Sequence, residues 1–84
     1  MTREQMRDVV LHLLHEVAPE TELRDLAPEV DLCRTLLLDS VAFLNFVVAV
    51  DETLHVAVPQ ADYAKLATLR GCIEYLTRAY ERRT

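Results

Sequence analysis

Asp39 and Ser40 stand together at the mouth of a long apolar run, Val41-Ala42-Phe43-Leu44-Asn45-Phe46-Val47-Val48-Ala49-Val50. A serine hydroxyl there has two uses open to it: capping a helix, or reacting. Asp and Ser both favour a helix start, where a side-chain oxygen takes up free backbone N–H groups. An activated nucleophile needs a base beside it, and no histidine or paired carboxylate is arranged for that work. His12 and His15 fall off the apolar stripe of their own helix and lack a third metal ligand, and His55 reads as a cap or loop residue. Cys33 and Cys72, 39 residues apart, have neither disulfide-framework density nor metal-ligand spacing, so they are read as free thiols. Cys72 lies on an apolar face as a small core residue. The chain is therefore not expected to be an enzyme in its own right.

The elements that hold Ser40 follow from periodicity. Thr2 with Gln5 matches a capping box, and Met6, Val9, Val10, Leu13, Leu14 and Val17 form one stripe. A first helix is expected over residues 3–17, ended by Ala18-Pro19. Residues 19–39 read as a long connection, with a turn or two over Glu22 to Leu26. Leu23, Leu26, Val30, Leu32 and Leu36 are anchors that keep it packed. No Pro or Gly interrupts Val41 to Leu54, which predicts a helix over 40–54. Phe43, Phe46, Val47, Val50 and Leu54 share its core face. Val41, Leu44 and Val48 form a second stripe, open to two readings: cover by the long loop, or a docking patch beside Ser40. Gln60 to Leu66 reads as a short third helix or irregular turn, with Tyr63 and Leu66 inward. Thr68 is an N-cap for a last helix over 69–82, whose stripe is Leu69, Cys72, Ile73, Leu76 and Tyr80. Gly71 falls in its first turn, where its cost is limited. The fold class is all-α: four helices with a long first loop and a short third helix. Phe43, Phe46, Val50, Leu69, Ile73 and Leu76 are expected to meet in one core.

Length and charge bound the rest. Eighty-four residues make one small domain, 1–84, with a formal charge of −5. Residues 1–40 sum to −5, 41–64 to −3 and 65–84 to +3. The acidic body opposes nucleic acid, and Arg70, Arg78, Arg82 and Arg83 lack aromatic partners that would make such a site. The longest uncharged stretch, Ser40 to Val50, is too short to span a bilayer. No signal peptide opens the chain, so a reducing cytoplasm is the expected setting. Eight arginines against one lysine point to a high-G+C bacterium.

At Asp39-Ser40-Val41 the chain resembles acyl and peptidyl carrier proteins. Their Asp-Ser-Leu signature opens the second helix, and its serine carries 4'-phosphopantetheine. Asp31-Leu32 followed by Leu36, the Val56-to-Pro59 segment and the Thr68-Leu69 step resemble the family in order and spacing, over roughly residues 3–81. Leu37 stands where carriers commonly have a glycine that helps the turn, and His55 also stands where glycine is common. The resemblance implies a free-standing, monomeric carrier. Its Ser40 would take the arm from coenzyme A by the action of a phosphopantetheinyl transferase, with Asp39 orienting the serine or the transferase's metal. An acyl- or aminoacyl-loading enzyme and a downstream synthase or transferase would then use it. Val41, Leu44, Val48, Asp51 and Glu52 are the partner-binding candidates. Ala42 and Asn45 replace acids of the familiar fatty-acid carriers, which points to a specialised polyketide, nonribosomal peptide or modified fatty acid pathway. The alternative is a carrier relative that lost its chemistry and serves as a small helical interaction module.

Overall fold

The computed structural model describes residues 1–83. Among them lie α1 (Arg3–Val17), α2 (Leu32–Thr35), α3 (Ser40–Leu54), a 3-10 helix (Gln60–Leu66) and α4 (Leu69–Arg82), with no strand beyond one isolated bridge, Asp31 to Thr68. This is the all-α carrier-type bundle expected. The four long-sequence elements fall on the anticipated spans, and the caps explain why. Thr2 Oγ1 accepts from Gln5 N while Gln5 Oε1 accepts from Thr2 N, a complete capping box. Thr68 Oγ1 accepts from Gly71 N at 3.0 Å.

Helix α1 packs against both α3 and α4, and the 3-10 helix packs against α4. Met6, Val10, Leu13 and Leu14 of α1 meet Phe46, Val50 and Leu54 of α3 and Leu69, Cys72 and Leu76 of α4 in one buried core. Two expected core residues sit at its margin. Phe43 and Ile73 are partly exposed, packed against the core from outside. Phe43 leans its ring on Tyr63, edge to face at 5.4 Å, and so forms the wall of a groove.

In the long connection Glu22 to Leu26 forms a turn, within expectation, closed by Leu26 N donating to Leu23 O. The departure is α2, a helical turn not expected at Leu32–Thr35, where Asp31 Oδ1 accepts from Arg34 N at 3.0 Å and caps it. Leu23, Leu32 and Leu36 are buried, with Leu26 and Val30 packed beside them. Backbone bonds from Leu32 N to Ala67 O and from Arg70 N to Pro28 O, both 2.8 Å, pin this connection to the start of α4. Arg70 adds an ion pair to Glu29 at 2.9 Å.

Among the described residues, two other than glycine have positive φ: Leu37 at 55° and His55 at 56°. His55 closes α3 in the left-handed conformation, with its N–H on Asp51 O, which is the cap expected of it. Leu37 takes the same conformation in the turn before Ser40. That costs an ordinary side chain roughly 1–2 kcal/mol, and Leu37 accepts it while 88% exposed.

Candidate functional site

Ser40 is the first residue of α3, and Asp39 is its N-cap. Asp39 Oδ1 accepts from Ala42 N at 2.8 Å, and Asp39 O accepts from Phe43 N at 2.9 Å. The capping reading of Ser40 is thereby corrected. Asp39 does the capping, because its carboxylate reaches the third helical N–H and also suits the positive end of the helix dipole. Ser40 is exposed, and its hydroxyl has no partner among the described residues. The N–H groups of Ser40 and Val41 stay open at the helix mouth, as the first N–H groups of any helix do when no cap reaches them. An exposed hydroxyl beside unsatisfied N–H groups suits a phosphoester.

Helical geometry sorts the candidate residues into two lines. At 100° per residue, Ser40, Leu44 and Asp51 fall within about 40° of one another, and Val41, Val48 and Glu52 within about 40°. The second line lies opposite the core face of Phe46 and Val50. Val41 is 67% exposed, Val48 54% and Leu44 46%, so the long loop does not cover this stripe. Asp51 and Glu52 are exposed too, but about 17 to 18 Å along the axis from Ser40 by helical rise. They rim the far end of the face rather than the serine.

A groove of about 460 Å³ opens beside Ser40, lined by Cys33, Leu38, Asp39, Phe43, Leu44, Gln60 and Tyr63. Sequence reasoning placed Ser40, Asp39 and Leu44 at the site and missed the others. Phe43 and Tyr63 carried a core pattern, and nothing local in the sequence brings Cys33 or Gln60 to Ser40. Burial raises the Cys33 thiol above its ordinary range, with Asp31 adding to the effect. Cys72 is fully buried, which pushes its thiol up to about 12. Neither is a thiolate at neutral pH. Among the described residues no cluster of His, Cys, Asp or Glu could hold a metal ion, and no helix is long and apolar enough to cross a membrane.

A search of curated proteins finds no match. The protein-family model described as "Phosphopantetheine attachment site" matches residues 7–76, a span from α1 through most of α4 with Ser40 inside it. Such domains are the site of covalent 4'-phosphopantetheine attachment, are generally carriers without catalysis of their own, and interact with partner enzymes. With that match over most of the chain and a helical bundle around an exposed serine, the protein belongs to the phosphopantetheine-binding acyl carrier protein family.

Proposed function

We propose that Ser40 is the residue that carries 4'-phosphopantetheine, and that the chain serves as an acyl carrier protein in a specialised pathway. The pathway classes are polyketide, nonribosomal peptide and modified fatty acid synthesis. The observation that carries the attachment point is Ser40 itself: a solvent-facing hydroxyl, free of internal bonds, with Asp39 rather than Ser40 holding the helix end. When bound, the arm supplies a terminal thiol that holds an acyl or aminoacyl group as a thioester. Ser40 Oγ would hold the arm and the N–H groups of Ser40 and Val41 would be available to its phosphate, while Asp39 fixes the first turn on which the hydroxyl is mounted.

The exposed face of α3 supports the specialised reading. Between Ser40 and Leu54 the only charges are Asp51 and Glu52, while Val41, Leu44 and Val48 present aliphatic surface. Apolar contact supplies affinity, and the acidic end steers encounter and excludes wrong partners. The partners are a phosphopantetheinyl transferase, an acyl- or aminoacyl-loading enzyme and a downstream synthase or transferase, acting on a monomer in the cytoplasm.

The test is mass measurement of the intact chain after incubation with coenzyme A, Mg²⁺ and a phosphopantetheinyl transferase. One added phosphopantetheine is expected, absent in Ser40→Ala. A chain left bare by the transferase of its own source organism, while a control carrier is labelled, would falsify the assignment and favour the interaction module. In the loaded protein, Leu44→Asp and Val48→Asp should slow transfer to the partner enzymes with the fold intact. Normal transfer would remove the stripe from the docking face.

A further inference from the structure

Leu37 places an aliphatic side chain where folding gains nothing from it. Its neighbours are used internally: Leu36 is buried and Leu38 packs against the core. Leu37 between them is 88% exposed and holds φ 55°. Like His55 it closes a helix: Leu37 stands just past the end of α2, where Leu38 N donates to Cys33 O at 2.8 Å and Leu37 N to Arg34 O at 3.4 Å. The helix end needs the left-handed backbone, which glycine or asparagine would supply without strain; the exposed leucine side chain adds nothing to that closure and points to a use outside the fold.

Position identifies the use. Leu37 lies three positions before Ser40, so their Cα atoms are at most about 11 Å apart. Val41, 67% exposed, follows directly after Ser40, so the two aliphatic side chains bracket Asp39-Ser40. No Lys or Arg occurs from Thr35 to Leu54, and Asp39 is exposed. The matching surface is an aliphatic socket with a basic rim.

We infer that Leu37 is a specificity-determining contact for the phosphopantetheinyl transferase, an inference that rests on Ser40 as the attachment point. The transferase is the partner whose chemistry takes place at Ser40 Oγ. The Oγ–P bond forms as the P–O bond to the nucleotide of coenzyme A breaks. 3',5'-ADP leaves, and the serine proton passes to a base of the transferase. Such an enzyme must close over the helix mouth on both sides of Ser40. Enzymes that read the cargo work at the far end of the arm and need not touch Leu37.

Leu37→Gly and Leu37→Asn both tolerate the left-handed backbone, so they remove the side chain without threatening the fold. Leu37→Met keeps aliphatic bulk. Each variant is labelled with coenzyme A and the transferase of the source organism, followed by intact mass, with the thermal midpoint measured alongside. The Gly and Asn variants should melt no lower than wild type. Their KM as carrier substrates should rise about tenfold with kcat little changed, as loss of uniform binding requires, and Met should restore the wild-type value. Unchanged kcat/KM in Gly and Asn would overturn the inference while leaving Ser40 in place. So would slower transfer from pre-loaded variants to a downstream enzyme with labelling unaffected. A wild-type chain never labelled at Ser40 would remove the attachment point first, and this inference with it.

Discussion

Asp39 and Ser40 divide between them two tasks that either residue type could perform. Asp39 holds the first turn through Ala42 N, and Ser40 is left with an uncommitted hydroxyl. The sequence offers no way to choose which of two adjacent capping types is the cap; a shift of one residue in the helix start decides it. The division has a measurable consequence. Asp39→Ala should lower stability by about 0.5–2 kcal/mol, the usual loss of a cap. Ser40→Ala, at an exposed position with no bond to lose, should stay within about 0.5 kcal/mol of wild type. Denaturant midpoints at fixed m-value check both. Equal losses in the two variants would return the capping role to Ser40, and with it the conflict between capping and attachment. The Asp39 variant also tests whether the turn positions the serine, since it should be labelled more slowly than wild type while still folded.

At the scale of elements, the helices were legible because their signals are local. The capping box at Thr2, the Thr68 cap and the uninterrupted run after Ser40 each sit within a few residues of what they determine. Helix α2 was not legible, being four residues long, although Asp31 in front of it was a cap in plain view. Gly71 shows the limit of local reasoning. In a first turn its cost appears small, and replacement by Ala should help by up to about 1 kcal/mol on propensity alone. The fold opposes this. A Cβ there would lie 2.7 Å from the backbone oxygen of Lys65 and 3.1 Å from Thr68 Oγ1. The absence of a side chain is what lets the end of the 3-10 helix approach α4. Overpacking against a backbone atom costs about 1–3 kcal/mol, so Gly71→Ala should be destabilising by about 1–2 kcal/mol net. In a domain this size, that lowers the thermal midpoint by roughly 4–16 °C. A raised midpoint would mean that the 3-10 helix shifts freely and is not held by this contact.

The molecule as a whole places its groove between elements that meet only in three dimensions: Cys33 of α2, Phe43 of α3, and Gln60 and Tyr63 of the 3-10 helix. Periodicity assigns residues to faces but not faces to neighbours, which is why the groove escaped the sequence. Its far wall is the 3-10 helix, and a polar clamp fastens that helix to α4. Tyr75 OH of α4 donates to Asp62 Oδ2 at 2.6 Å, while within the 3-10 helix Lys65 Nζ pairs with Asp62 Oδ1 at 3.3 Å. The Tyr75 bond, with help from Lys65, holds the Asp62 carboxyl below its ordinary 3.8. Burial first, and then Asp62, push the Tyr75 hydroxyl up to about 12 from 10.0. The linkage signs differ at the two ends. Asp62 is more acidic folded than unfolded, so its contribution is complete above pH 3.8 and is lost as pH falls through the folded value. Tyr75 is less acidic folded, so its contribution is complete below pH 10.0 and is lost between there and about 12. In Asp62→Asn, urea midpoints taken from about pH 7 down to about pH 3 should fall less steeply than in wild type. The tyrosinate absorbance of Tyr75 should appear at lower pH in that variant, though short of 10.0 because burial is the larger cause. Identical acid limbs and an unmoved absorbance titration would mean that the clamp is open in solution, and that packing alone holds the wall of the groove beside Ser40.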